Sequence, residues 1–381
     1  MSVWFIRLLS LACGLAVANL YYAQPLLGLL AKSFGVVASH TALVVTITQL
    51  GYALGLLLVV PLGDRLENRQ LIVVLMLACV FSLLAMALAP NLVCFGAASM
   101  LVGVTSVVAQ VLVPLAAHLA PEDSRGKVVG QVMSGLLLGI LLARAAAGIL
   151  SQHLGWRGVY ALSAVLMAAM TLALRVYLPR RRPEAHPLGY LQLLGSLAGI
   201  FQAEPVLRRR AFYQCLMFGS FSLFWTGITF HLSAPPLSFS QTGIGMFALV
   251  GGAGALVAPW VGQLGDRGKG RITTGVAFLL AALGFLCTGW QAHLWALALG
   301  SIVVDVAVQS TLILGQQQIY NLRPEQRSRL NTLYIAIFFL GGAAGSGLAG
   351  PLFAQGGWNA VVVAGATLPL VGLLAWATEK P

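Results

Sequence analysis

Apolar residues run in blocks of roughly twenty along the whole chain, each closed by a short stretch rich in charge, glycine or proline. About twenty apolar residues is the length an α-helix needs to cross the roughly 30 Å of hydrocarbon in a bilayer. The pattern predicts about twelve spans, at residues 8–30, 41–62, 70–89, 94–118, 128–151, 157–178, 211–232, 241–261, 272–290, 294–318, 329–353 and 357–377. The fold class that follows is an all-α polytopic membrane protein, because a helix satisfies its own backbone groups inside lipid.

Polar positions stand out against this background. In span 1 the stretch ANLYYAQPLL places Asn19, Tyr21, Tyr22, Gln24 and Pro25 within ten residues. Lipid exposure of so many donors is unfavourable, so a polar layer between packed helices is expected there. On a helical wheel Asn19 and Tyr22 share one face, while Tyr21 and Gln24 lie nearly opposite. One pair is expected to face a cavity and the other to brace a helix bent at Pro25, which frees the carbonyl of Tyr21. The pattern alone leaves open which pair does which. Span 1 also mimics a signal peptide, with Ala16-Val17-Ala18 as a cleavage site, but its apolar run continues to about Leu30 and favours a retained helix.

Internal repetition divides the chain. PLGDRLENR returns as GQLGDRGKGR, with Asp64 and Asp266 separated by 202 residues. APEDSRG returns as RPEQRSR, Pro121 and Pro324 being 203 apart, and GWRGVYALSA returns as GWNAVVVAGA, Trp156 and Trp358 being 202 apart. The expected organisation is a six-helix half over 1–178, a basic cytoplasmic linker over 179–210 and a second six-helix half over 211–381, the halves parallel and related by an axis along the membrane normal. Within the linker, LGYLQLLGSLAGIF is too short to span and is expected to lie on the membrane face, flanked by cations.

Composition agrees with the pattern: 8% of residues are charged and 59% hydrophobic, against about 25% charged in a soluble domain. The net charge of +12 would by itself point to nucleic acid. Its distribution points elsewhere. With the N-terminus in the cytoplasm, 19 of the 22 Lys and Arg fall at the termini, in cytoplasmic turns or in the linker. Lys32 and Arg157 fall in outer loops, and Arg144 lies within a span. This is the positive-inside pattern, so both ends are expected in the cytoplasm and no nucleic-acid partner is called for. The five cysteines all lie in spans without metal-ligand spacing and read as small hydrophobes, so neither metal nor cofactor is expected. The absence of an Asn-X-Ser/Thr sequon agrees with a bacterial inner membrane.

The repeated turn, Gly-x-Leu-x-Asp-Arg followed by cations, resembles the signature of the major facilitator superfamily between helices 2 and 3, with its second copy between helices 8 and 9. In the first copy Leu62, Gly63, Asp64, Arg65 and Arg69 match, with Val60 and Glu67 in place of glycine; the second keeps Gly262, Leu264, Gly265, Asp266 and Arg267. The resemblance implies two six-helix halves, transport by alternating access, and a conformational latch at these turns that closes the cytoplasmic side in one state. An aspartate beside a helix N-terminus and arginines contributes about 0.3–1 kcal/mol to such a contact, and Gly63 and Gly265 would keep a tight turn unobstructed. Small-x₃-small pairs occur in span 2 (Gly51, Gly55), span 5 (Gly135, Gly139), span 8 (Gly251, Ala255) and span 11 (Gly341, Gly345). Such pairs let helices pack backbone to backbone, and the resemblance places these four spans at the seams between halves. It also departs in places: Ser99 stands where proton-coupled members often carry arginine, and Ile140 where the antiporter pattern has proline.

Asp305 is the one acid inside a span, and Arg144 is the one cation well inside a span. Ionisable groups there are expensive and functional by default. At 1.5 Å per residue, Asp305 sits roughly 16 Å and Arg144 roughly 10 Å from the outer ends of spans 10 and 5. An arginine side chain covers the difference, so the two are expected to pair across a central cavity in one state and separate in another, loading and releasing a proton. Ser301, Asp305, Gln309 and Gln316 share a polar arc on span 10. The candidate substrate cavity comprises Asn19, Tyr21, Tyr22, Gln24, Gln110, Gln309, Gln316 and Trp225. The expected activity is proton-coupled efflux of a small organic molecule by a monomer in the lipid bilayer; uptake by a symporter of the same architecture is the alternative. An embedded enzyme would need clustered acids or histidines, and the six histidines are scattered. A receptor or scaffold is the remaining class, and no phosphate loop is present, since GGAGALVAP lacks the lysine.

Overall fold

The computed structural model describes residues 2–182, 189–252, 254, 257–323 and 326–379. Three features read from the sequence, the landmark Pro324, Ala255 of span 8 and linker residues 183–188, lie outside the described residues. The regular elements described are all helical. The first half of the chain contains α1 Val3–Ala18, α2 Ala23–Phe34, α3 Ala38–Leu58, α4 Asn68–Ala87, α5 Leu92–Ser106, α6 Val108–Leu119 and α7 Arg125–Tyr177. The rest contains α8 Tyr190–Ala203, α9 Pro205–Ser233, α10 Gln241–Phe247, α11 Ala258–Leu264, α12 Gly270–Thr288, α13 Leu294–Tyr320 and α14 Arg327–Ala377. Among the described residues nine helical stretches are long and apolar enough to cross a bilayer. Two of these, Glu122–Tyr177 and Arg327–Ala377, break at Gly155 and at Gly356–Gly357, and a third, Ala258–Thr288, breaks at Gly268, which leaves Ala258–Leu264 with Gln241–Phe247 and the 3₁₀ stretch Ala248–Gly252 as pieces of a further crossing. Nine, two and one are consistent with the twelve predicted spans. Phe81, Val93, Leu172, Val363 and Leu374 stay exposed on the outside of the bundle, an apolar belt suited to lipid.

The GW repeat has a backbone reason. Gly155 and Gly357, 202 residues apart, both hold positive φ, at 65° and 58°. That left-handed conformation is steeply unfavourable for residues with a Cβ, and it lets each long helix reverse direction within one turn. The tryptophan that follows anchors each reversal. Trp156 packs its ring 5.3 Å from Phe34 and 5.4 Å from Phe95. Trp358 donates its Nε1–H to the Thr288 carbonyl at 2.9 Å and meets Phe224 edge-on.

Three predicted spans are interrupted. Span 1 tightens at Asn19–Tyr22, between α1 and α2, where the N–H groups of Leu20, Tyr21 and Gln24 donate three residues back. Pro25 is the third residue of α2, where its missing N–H is no loss, so the irregularity of span 1 lies just before it, and the Tyr21 carbonyl accepts from the Gln24 N–H at 3.4 Å. Span 4 breaks at Val107, and span 8 passes through a 3₁₀ stretch at Ala248–Gly252.

The small-x₃-small pairs fall differently from expectation. Gly51 and Gly55 on α3 lie against the Met100 and Val104 carbonyls of α5, Gly135 and Gly139 on α7 against Ser10 and Gly14 of α1, and Gly341 and Gly345 on α14 against Cys215 and Gly219 of α9. Each contact lies within one half of the chain, because the pairs face neighbours of their own bundle. The two halves meet instead at other positions of α3, α7, α10 and α14. Gly350 approaches the Ser39 backbone, Thr46 Oγ1 and Ser346 Oγ are 3.0 Å apart, and a Cβ at Gly148 would stand 2.5 Å from the Gln241 carbonyl. These seams close the face opposite the chain termini, called here the far face. The termini and basic turns mark the other, the basic face. A leucine at Gly345 would drive into the Gly219 backbone; Gly345→Leu is expected to destabilise by about 1–3 kcal/mol, read as a lower unfolding midpoint of the solubilised protein.

At the basic face α8 buries Leu193, Leu197 and Ile200. It packs on α9, α14 and the 3₁₀ turn Val60–Asp64, and Tyr190 Oη donates to the Leu58 carbonyl at 2.6 Å. The apolar linker segment therefore covers protein from both halves.

Candidate functional site

The centre of the bundle gathers Gln24 of α2, Arg144 of α7, Trp225 of α9 and Asp305 of α13, with exposures of 2%, 4%, 2% and 7%. Arg144 Nε donates to Gln24 Oε1 at 2.5 Å. Its guanidinium lies over three rings, 4.7 Å from the centroid of Trp225, 4.9 Å from Tyr21 and 5.6 Å from Phe221. Trp225 Nε1 donates to Asp305 Oδ1 at 3.0 Å. In this conformation an indole stands between Arg144 and Asp305. One tryptophan offers its negative face to the cation and its positive edge to the acid.

Local structure makes room for this unit. The tightened turn at Asn19–Tyr22 precedes α2, and Gln24 in the first turn of α2 reaches Arg144 of α7. The 3₁₀ stretch brings Gly251 so close that a Cβ would collide with Asp305 Oδ2 and stand 2.5 Å from the Trp225 ring, and a Cβ at Gly254 would meet the Asp305 backbone at 2.9 Å. Gly251, read from sequence as one of a small-x₃-small pair, is where the broken helix admits a buried carboxylate.

The other expected cavity residues separate. Tyr21 joins the centre with Gln24. Asn19 turns away: its Oδ1 accepts from Ser163 Oγ at 2.7 Å and its Nδ2 reaches Cys79 Sγ at 3.5 Å, which braces α1 against α7 and α4. Tyr22 faces the same side as Asn19, as the wheel requires, and is buried in the core. Gln110 donates to Tyr52 Oη at 3.1 Å, and that ring packs 4.4 Å from Phe339 of α14, so Gln110 belongs to a second layer between the halves. Gln309 is half-buried on α13. Gln316 lies nearer the basic face, where it donates to Asn331 Oδ1 at 3.2 Å, because α13 and α14 converge there. Two residues of the second layer escaped the sequence reading. Gln49 donates to Ser222 Oγ at 3.1 Å, linking α3 to α9 across the halves, and Tyr52 sits one turn below. An amide inside the apolar run TITQLGY was the signal for the first.

The two turns do different things. Asp64 lines a small cleft with Val60 and Pro61 on one side and Leu193, Leu197, Ser328, Arg329 and Thr332 on the other, so it faces the linker helix and α14. Arg329, in the RSR of the repeated turn, was not singled out from sequence. Arg65 is exposed, while Arg69 Nη1 donates to the Leu178 carbonyl at 3.4 Å within its own half. A Cβ at Gly63 would make only ordinary contacts, the nearest at 3.7 Å, whereas Gly265 is crowded by Gln317. Asp266 is exposed and accepts from Gln317 Nε2 at 3.3 Å, a bond inside the C-terminal half, and Arg267 is exposed. Asp64 thus faces elements beyond its own half, while the bond of Asp266 stays within its own. Asp64→Asn is expected to loosen the basic face by about 0.3–1 kcal/mol, read as faster labelling of a Ser328→Cys reporter.

Comparison with known proteins places these features in context. The model of the Major Facilitator Superfamily matches residues 9–269 and 211–381. The putative uncharacterized transporter YgaY of Escherichia coli (strain K12) is 48% identical over 378 residues, covering 99% of this chain and 95% of that protein. The probable transporter SCO4007 of Streptomyces coelicolor is 35% identical over 371 residues, covering 96% of this chain and 85% of that one. Among solved structures, a bacterial homologue of the human lysosomal transporter Spinster, in an inward-facing and occupied conformation, superposes with a TM-score of 0.82 at 13% identity, over 98% of this chain and 96% of that one.

Proposed function

This chain belongs to the major facilitator superfamily, a family of transporters that span the membrane many times, and we propose from that premise that it is a proton-coupled secondary transporter of a small organic molecule, working by alternating access. One observation carries the coupling: Asp305, the one acid placed within a span, is buried at the centre and tied through Trp225 to Arg144, the cation lying well inside a span. The residues divide between the halves. Arg144, Gln24 and Tyr21 belong to the N-terminal half, over 1–178, and Trp225, Phe221 and Asp305 to the C-terminal half, over 211–381, with 179–210 as the linker. Rocking one half against the other therefore separates the indole from the guanidinium and changes what surrounds Asp305. A carboxyl group whose surroundings alternate takes up a proton in one state and releases it in the other.

The basic face is the cytoplasmic one in this reading, with both termini inside and the protein in a bacterial inner membrane as a monomer. The far-face seams at Gly148 and Gly350 are then the outer gate, and Asp64 with α8 belongs to the inner gate. Export is the favoured direction, in keeping with proton-driven efflux, and no step of bond chemistry is required of the site. A growth and uptake screen of an overexpressing strain against toxic compounds and metabolites identifies the transported molecule. Proton movement in inside-out vesicles on adding that molecule then tests the coupling: substrate flux without proton flux contradicts it.

A further inference from the structure

Arg144 is enclosed on all sides, yet its Nη2 has no hydrogen-bond partner, and neither has Nε2 of the Gln24 amide it binds. These are two unpartnered donors on side chains joined by one hydrogen bond. Asp305 lies near enough for its charge to act on the guanidinium, but it is held at the indole of Trp225, and among the described residues no carboxylate is hydrogen-bonded to either donor or ion-paired with Arg144. A buried guanidinium with an open donor is unfavourable unless an acceptor of negative charge meets it in part of the working cycle. The remaining contacts of the guanidinium are ring faces: Tyr21 from its own half, Phe221 and Trp225 from the other.

Deepening the transporter reading above, on which this rests, we propose that the transported molecule is an organic acid: a carboxylate on a flat, apolar body. Its charged group is received by Arg144 Nη2 and Gln24 Nε2, and its body takes the place of the rings against the guanidinium. The donor pair is preassembled on one half, because Gln24 and Arg144 are bonded across α2 and α7. Phe221 and Trp225 ride on α9 of the other half and uncover the donors when the halves part. Paired donors match the two oxygens of a carboxylate, and charge-assisted bonds of this kind are the strong ones. The aromatic cover selects a planar organic body over an inorganic ion.

Binding to the full chain in detergent, without any gradient, tests this apart from proton coupling. The probes are benzoate, salicylate and indole-3-acetate, each against its amide, with acetate and inorganic phosphate as small anions. The readout is the unfolding midpoint as a function of probe concentration, since a ligand that binds the folded state raises it. At least one aryl carboxylate is expected to raise the midpoint saturably while its amide does not. Gln24→Glu keeps the shape of the site and sets a carboxylate beside Arg144, so it should fold and bind the acid roughly tenfold or more weakly, the size of one charge-assisted hydrogen bond. Arg144→Gln should lose the preference for acid over amide. The proposal is overturned if no acid shifts the midpoint, if amides act as well as acids, if Gln24→Glu binds the acid like wild type, or if acetate or phosphate alone reproduces the effect. Proton flux has no part in these outcomes, so the coupling stands or falls separately.

Discussion

Gly148→Leu is expected to stop transport by preventing the far face from closing. Gly148 lies where α7 crosses α10, and a Cβ there would stand 2.5 Å from the Gln241 carbonyl and 3.0 Å from Gly245 Cα. Backbone cannot give way as a flexible side chain can, so a larger residue must push the helices apart. Overpacking of this kind costs about 1–3 kcal/mol. Charged against the closed state alone, that shifts the balance between conformations by roughly 5- to 150-fold. The variant should accumulate in the membrane, transport at a small fraction of the wild-type rate, and label faster at a Thr242→Cys reporter on the far face. Gly350→Leu, against the Ser39 backbone at the other seam, should behave alike. Gly126→Leu is the control, because a Cβ there meets nothing within 4 Å. Wild-type transport by Gly148→Leu would remove these seams from the cycle.

Asp305→Asn is expected to separate movement of substrate from the use of the proton gradient. An asparagine keeps an oxygen that accepts from Trp225 Nε1 and fits the space beside Gly251, so the site keeps its shape. It cannot take up or release a proton. Accumulation against a concentration gradient should be lost, while exchange of labelled for unlabelled substrate across the membrane should persist. Counterflow in proteoliposomes measures the second and gradient-driven transport the first. Loss of both would make Asp305 a binding group, and retention of both would place the coupling elsewhere.

Much of the fold was legible because hydrocarbon imposes a simple rule. Blocks of apolar residues gave the spans, and the GW repeat marked two helix reversals whose need for positive φ no other residue meets as well as glycine. What stayed hidden was direction. Helical wheels separated Tyr21 and Gln24 from Asn19 and Tyr22, and the structure turns the first pair to the centre, but a wheel carries no information about which neighbour lies on which side. The same limit applies to the glycines. Spacing at i and i+4 says that a helix packs closely, and Gly51, Gly135 and Gly341 do, though against helices of their own half. The seams use Gly148, Gly245 and Gly350 instead. Depth along the helix put Arg144 and Asp305 within an arginine's reach of each other, but the intervening Trp225 was invisible to rise-per-residue arithmetic. The break at Ala248–Gly252 is a tertiary effect: Gly251 gives the backbone freedom, and the buried carboxylate takes up the space.

The central claim is that Asp305 carries a proton in step with substrate. The most direct measurement is the pH change around vesicles holding the wild-type protein when the transported molecule is added. A proton movement that scales with substrate flux and disappears in Asp305→Asn is predicted. Substrate flux with no proton movement, or the same proton movement in Asp305→Asn, would contradict the account.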